Sequence, residues 1–151
     1  MKIALLPLCL LLACSSTPVP TIEGTTFSGA LPVPVDLDAS VKLPSGMYIR
    51  DLTDASTDGG VQAAVGQTIT TYYTGWLADG TQFDTNTTTG FQFRLGEGEV
   101  IPGWDYGIPG MYVGGQRQLI IPPDLGYGAN GSGPIPPNAI MVFTVTLVSI
   151  P

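Results

Sequence analysis

Glu-Val-Ile-Pro-Gly-Trp, residues 99–104, is the stretch whose residue types could do chemistry, and of a non-covalent kind. Val100 and Ile101 run into Pro102, which fits the first position of a helix because its missing N–H is not needed there. Trp104 then falls in the first turn, facing inward. An apolar floor rimmed by free backbone donors suits an extended, apolar, proline-containing peptide. What the chain lacks narrows the chemistry further. There is no histidine, which removes Ser-His-Asp and Cys-His catalysis and most zinc sites. Both cysteines, Cys9 and Cys14, lie in the first fourteen residues, so the domain carries no disulfide and no thiol chemistry. A net charge of −7 makes nucleic acid an unsuitable partner, since phosphate binding needs basic patches. No metal or other cofactor is expected.

The elements that must position this stretch are legible from alternation. Met47–Leu52 alternates and predicts a first strand. Gln67–Leu77 is rich in Thr, Ile, Tyr and Trp, all strand formers. In it Ile69, Thr71 and Tyr73 share one face, while Thr70, Tyr72 and Trp76 share the other. Asp79-Gly80 is a hairpin signal. Thr81–Asp84 resumes the strand, Thr85–Gly90 is a polar bulge or loop, and Phe91, Phe93 and Leu95 face inward. A short helix follows from about Pro102 to Ile108, limited by Gly107, Pro109 and Gly110. Gln116–Ile121 is the next strand, with Leu119 and Ile121 inward. Residues 122–137 form a connection with nine Gly or Pro and one aromatic, Tyr127. A loop that long in a compact domain usually has a job. Ala139–Ile150 closes the chain as a strand with Met141, Phe143, Val145 and Leu147 on one face. Several antiparallel strands and one short covering helix make the class α+β.

Ahead of the domain, residues 1–14 carry one basic residue, Lys2, and then about ten apolar residues, too few to span a bilayer. This is the plan of a secretory signal. Leu11-Leu12-Ala13-Cys14 resembles the bacterial lipobox, which implies a signal peptide over 1–13 and a lipid anchor on Cys14. Several acyl chains on one residue hold a protein on a membrane more firmly than one. Ser15 and Ser16, with no aspartate after the cysteine, resemble lipoproteins sorted to the outer membrane of the bacterial cell envelope. Residues 15–42, with Pro18, Pro20, Pro32 and Pro34, read as an extended spacer. They form, with Cys14, a flexible tether over 14–42 ahead of a domain over 43–151.

Five motifs point the same way. Tyr-Thr-Gly-Trp-Leu-Ala-Asp-Gly-Thr-Gln-Phe-Asp (73–84), Phe-x-Phe-x-Leu-Gly (91–96), Glu-Val-Ile-Pro-Gly-Trp (99–104), Gly-Tyr-Gly-Ala (126–129) and Ile-Pro-Pro-Asn-Ala (135–139) resemble, in order and spacing, the FKBP-type peptidyl-prolyl cis–trans isomerases. The resemblance covers about residues 45–150. It implies an antiparallel sheet of five or six strands wrapped around one short helix, with an apolar site between helix, sheet and loops. The site positions it implies are Tyr73, Phe83, Asp84, Phe91, Val100, Ile101, Trp104, Tyr127, Ile135 and Phe143, with Phe93 read as core. It departs from the family at Tyr72, where a histidine is common, and near Ser132, where a loop histidine is absent.

Such chemistry needs no nucleophile. Rotation of an X–Pro bond faces a barrier of about 18–20 kcal/mol set by amide resonance. It falls when the amide sits in an apolar place and its twisted form is bound better than either planar one. On this reading Trp104 is the floor, and Tyr73, Phe83, Phe91, Val100, Ile101 and Phe143 are walls. The Ile101 N–H and the Tyr127 hydroxyl are donors. Asp84 either orients Tyr73 or meets the twisted carbonyl. Glu97 and Glu99 read as solvated charges. The expected partners are proline-containing segments of exported proteins and, by family resemblance, immunosuppressant macrolides. The competing reading is a proline-segment binding module or chaperone with little turnover.

Overall fold

The computed structural model describes residues 17–56 and 59–151. The expected signal peptide and Cys14 lie outside the described residues. Six strands form one antiparallel sheet: β1 (Val41–Lys42), β2 (Tyr48–Thr53), β3 (Thr68–Leu77), β4 (Gln82–Arg94), β5 (Gln116–Ile121) and β6 (Met141–Ser149), in the spatial order β1-β2-β5-β6-β3-β4. One helix, α1 (Pro102–Gly107), joins β4 to β5 and lies on one face. The fold is α+β, as the alternation predicts, with the helix ending one residue earlier than expected.

The inner face holds the main core. Ile69, Leu119, Ile121, Met141, Val145 and Leu147 are fully buried there, with Phe93, Trp104 and Phe143 packed among them. Close docking of α1 makes this possible. A methyl group on Gly103 would lie 2.6 Å from Ile121 Cγ2, and one on Gly107 2.8 Å from Leu119 Cδ2. Both contacts are shorter than van der Waals packing permits, so these helical glycines serve approach and not propensity. Arg117 reaches across the same gap. Its Nη1 donates to the carbonyl oxygens of Gly107 (2.9 Å) and Pro109 (3.2 Å), and its Nε and Nη2 donate to the two oxygens of Asp51. Arg117 thus satisfies the helix C-terminus, where orphan carbonyls and the negative dipole end favour a cation.

The outer face differs from the expectation. Registers align Tyr48 with Ile120, Ile120 with Val142 and Val142 with Trp76, one row across four strands. This row is apolar and buried, and the segment read as a flexible tether covers it. Ile22 packs on Tyr48, Ile120 and Ile140, while Leu31 packs on Trp76 and Val142; Phe27 and Val35 join both groups. Polar contacts hold the strap in register. Gln118 Nε2 donates to the Val33 carbonyl (3.0 Å), Ser28 N donates to the Ala78 carbonyl (2.8 Å), and Glu23 accepts from Lys42 and the Tyr48 hydroxyl. The expected flexible tether does not hold for residues 22–42, which pack on the sheet as part of the folded unit, because a sheet with apolar side chains on both faces needs two covers.

Deleting the strap tests this packing. A chain of residues 43–151 exposes Tyr48, Trp76, Ile120 and Val142. It is expected to lose about 2–4 kcal/mol in urea denaturation after the ordering cost of the strap is set against its burial. Its Trp76 emission shifts to the red. An unchanged midpoint and emission would show the strap to be dispensable.

Candidate active site

The ten positions singled out from sequence come from five places in the chain: Tyr73 from β3, Phe83, Asp84 and Phe91 from β4, Val100, Ile101 and Trp104 from the entry to α1, Tyr127 and Ile135 from the 122–137 loop, and Phe143 from β6. All ten line one open cavity of about 610 Å³. Trp104 is its floor and is 4 % exposed. The indole meets Tyr73 edge to face at 5.0 Å between ring centroids and Phe143 at 5.4 Å, and Phe83 stands on Phe143 at 5.4 Å and 87°. Such pairs each add about 0.5–1.5 kcal/mol beyond their burial. Phe91 faces the cavity at the rim, 36 % exposed, and stacks on the buried Phe93.

The backbone beneath these rings is specific. Gly75 on β3 lies opposite Phe143. A Cβ there would fall 2.7 Å from both Phe143 Cε1 and Phe83 Cζ, so only glycine lets the two rings close over the sheet. In β4 the pairing jumps from Thr71 with Phe91 to Tyr73 with Asn86. The four residues between are extruded as the bulge that polarity predicts. Asn86 ties it: Oδ1 accepts from the backbone N–H groups of Thr89 and Gly90, and Nδ2 donates to the Gly90 carbonyl. Of the two forms expected for Thr85–Gly90, bulge or loop, it is a bulge inside one strand, and it carries Phe91 to the rim. The 122–137 loop is also organised. Pro123–Leu125 makes a single 3₁₀ turn, and Ser132 and Ile135 exchange backbone hydrogen bonds of 2.9 Å, which fold Ile135 down to 7 % exposure.

Polar groups at the cavity divide into engaged and free. The Tyr73 hydroxyl donates to Asp84 Oδ2 at 2.8 Å, and Asp84 Oδ1 accepts from the Thr85 N–H at 2.8 Å. Of the two roles open for Asp84, the contact made is with Tyr73. Burial, then the hydrogen bond to Asp84 and its negative charge, push the Tyr73 hydroxyl up to about 12, so it stays neutral at ordinary pH. The Ile101 N–H and the Tyr127 hydroxyl make no hydrogen bond among the described residues, and both belong to residues on the cavity wall. Gly98, Glu99, Ser132, Gly133 and Pro134 line it too and were not anticipated. The loop's length and Gly/Pro content were the available signal for the last three. Glu99 is not a freely solvated charge: its Oε2 accepts from the Arg94 N–H at 2.9 Å.

The sequence profile of FKBP-type peptidyl-prolyl cis-trans isomerases matches residues 59–148, more than half of the chain. The chain belongs to this family. Relatives include FK506-binding protein 2 of Yarrowia lipolytica, 53 % identical over 92 residues, covering 59 % of this chain and 64 % of that protein. An FK506-binding protein of Neisseria meningitidis serogroup B is 44 % identical over 108 residues, covering 70 % of this chain and 96 % of that one. FK506-binding protein 4 of Dictyostelium discoideum, 47 % identical over 110 residues, is much longer: the matched part covers 72 % of this chain and 29 % of it. Among solved structures, AtFKBP13 superposes with a TM-score of 0.68 at 36 % identity, covering 74 % of this chain and 98 % of that one. A peptidyl-prolyl cis-trans isomerase of Pseudomonas syringae gives 0.66 at 32 % identity, covering 74 % and 80 %.

The Tyr73–Asp84 contact has a pH signature. The neutral phenol is favoured in the folded state, so this group's contribution to stability is complete below about pH 10 and is lost as pH rises through about 12. The difference in tyrosinate absorbance between the wild type and Tyr73→Phe should titrate near 12, and in Asp84→Asn it should move toward 10. An Asp84→Asn midpoint equal to that of the wild type would contradict the contact.

Proposed function

We propose that this chain accelerates rotation about X–Pro peptide bonds in peptide and protein segments, binding the twisted amide in the Trp104 cavity without covalent chemistry. The observation that carries the proposal is the pairing of an aromatic and aliphatic floor and walls with unengaged donors, among them the Ile101 N–H and the Tyr127 hydroxyl. The prolyl ring lies on Trp104, with Phe83, Phe91, Val100, Ile135 and Phe143 around it. Transfer to this apolar site removes water's support from the charge-separated planar amide. A carbonyl of the bound segment accepts from Ile101 N–H, and Tyr127 reaches a second acceptor. Asp84, through Tyr73, fixes one wall and adds a negative charge beside the carbonyl carbon as it loses conjugation. Donors aimed at the twisted form act differentially, and each ~1.4 kcal/mol so gained is tenfold in rate.

The substrates we propose are exported proteins of a bacterial cell envelope, with the chain held by acyl groups on Cys14, most simply at the outer membrane. The support is the leader with its lipobox-like end and Ser15-Ser16. Binding of FK506-type macrolides in the same cavity is supported by family membership and by the apolar lining.

Two experiments test these readings. In a coupled assay on a Leu-Pro or Phe-Pro peptide, wild type should accelerate isomerisation, and Phe83→Ala and Asp84→Ala should each lower kcat/KM by about tenfold or more while unfolding stays cooperative. Unchanged rates in both variants would overturn the site. No acceleration by the wild type, with peptide binding retained, would favour a holding module. For the anchor, Cys14→Ala expressed in a bacterium should move from the membrane fraction to the soluble fraction and lose incorporated palmitate. Unaltered fractionation would contradict lipidation at Cys14.

A further inference from the structure

The loop between β4 and α1, a turn over residues 95–98 followed by a bend, is the cavity wall that carries the proposed Ile101 donor. Among the described residues, none of residues 96–100 takes part in a backbone–backbone hydrogen bond. The N–H groups of Gly96 and Gly98 are instead accepted by one side chain: Asp105 Oδ1 from Gly96 at 2.7 Å, and Asp105 Oδ2 from Gly98 at 3.0 Å. Both glycines adopt positive φ, 81° and 73°. This conformation is cheap for glycine alone and goes with a tight loop whose amides converge on the carboxylate. Asp105 is half-buried in the first turn of α1, immediately after Trp104.

We infer that Asp105 is a positioning residue: it fixes the 96–101 loop, and with it the Ile101 N–H, at a set height above the Trp104 floor. The inference rests on the isomerase reading for its enzymatic readout. Trp104 and Asp105 are adjacent on one rigid turn, so floor and wall are indexed to each other through a single peptide unit. Hydrogen bonds to an ionised acceptor are about twice as strong as neutral ones, and two on one carboxylate restrain the loop at both glycines. Gly98 and Glu99 themselves line the cavity, so the restrained segment is the wall itself. Glu99, bonded back to the Arg94 N–H, holds the strand end of the same loop. Without Asp105 the loop samples other conformations, and only a fraction of molecules present Ile101 N–H to a bound carbonyl. The apparent affinity then falls by that fraction.

The test compares wild type with Asp105→Asn and Asp105→Ala. The asparagine variant keeps one acceptor oxygen and sets its NH₂ against the other amide. KM for a Leu-Pro peptide should therefore rise in the order wild type, Asn, Ala, by about tenfold for Ala, with kcat changed less than about twofold. Amide hydrogen exchange of Gly96 and Gly98 should speed up in the same order, while urea midpoints stay close enough that all three proteins are folded in the assay. Equal KM values with unchanged exchange would overturn the inference. So would a loss confined to stability, with normal KM in the folded protein. The exchange readout needs no turnover. A wild type that binds peptide but does not isomerise it would overturn the enzymatic reading, and the exchange order would still decide whether Asp105 holds the loop.

Discussion

The cavity depends on how closely α1 lies against the sheet. Gly103 and Gly107 meet Ile121 and Leu119 at distances that leave no room for a methyl group. Arg117 draws the helix C-terminus to β5 and ties it on to Asp51 of β2. That approach buries Trp104 as a floor instead of leaving it as a surface aromatic. The ring contacts follow, from Trp104 to Phe143 to Phe83 and from Trp104 to Tyr73. Gly75 applies the same constraint from the sheet side, under Phe83 and Phe143. A helix of six residues with two glycines is poor by propensity. Tertiary packing of its buried face holds it, which is why its side chains are so narrowly placed.

A second cover makes the platform stiff. The row Tyr48–Ile120–Val142–Trp76 is closed from outside by the strap, so β5, and β6 at Val142, are buried on both faces. Residues on β6 show the consequence directly. Val142 is fixed from the strap side while its neighbour Phe143 is fixed from the cavity side. Of the site residues Phe143 stands on this doubly covered part of the sheet, while Phe83, Asp84 and Phe91 come from the edge strand β4 and the rest from β3, the entry to α1 and the 122–137 loop.

Much of this was legible in the sequence. Alternation assigned the inward faces of β4, β5 and β6 through Phe93, Leu119 and Met141 and separated the two faces of β3, and the motif order brought ten residues from five segments to one cavity. The strap was not legible, for a physical reason. Phe27, Leu31 and Val35 recur every four residues, but Gly29, Pro32 and Pro34 between them rule out a helix, so the spacing carries no regular element and the segment buries side chains where the sheet offers a place. The usable signal lay elsewhere, in the strands. Trp76, Ile120 and Val142 are apolar on the face opposite the core, and such a face needs a partner. Asp105 and Glu99 were hidden likewise, because a carboxylate that accepts backbone N–H groups is indistinguishable in sequence from a solvated one.

On the proposed function, an apolar floor and two unengaged donors suffice to turn an X–Pro bond, with no nucleophile or titrating base. Exchange spectroscopy by NMR on a Phe-Pro peptide, with a small fraction of isotope-labelled protein, tests it most directly. Uncatalysed cis and trans forms exchange over tens of seconds or longer. With the protein present, cross-peaks between them should appear within about a second of mixing, together with a shift of the Ile101 amide on peptide addition. Exchange as slow as in the free peptide, or fast exchange with the Ile101 amide unmoved at saturating peptide, would contradict it.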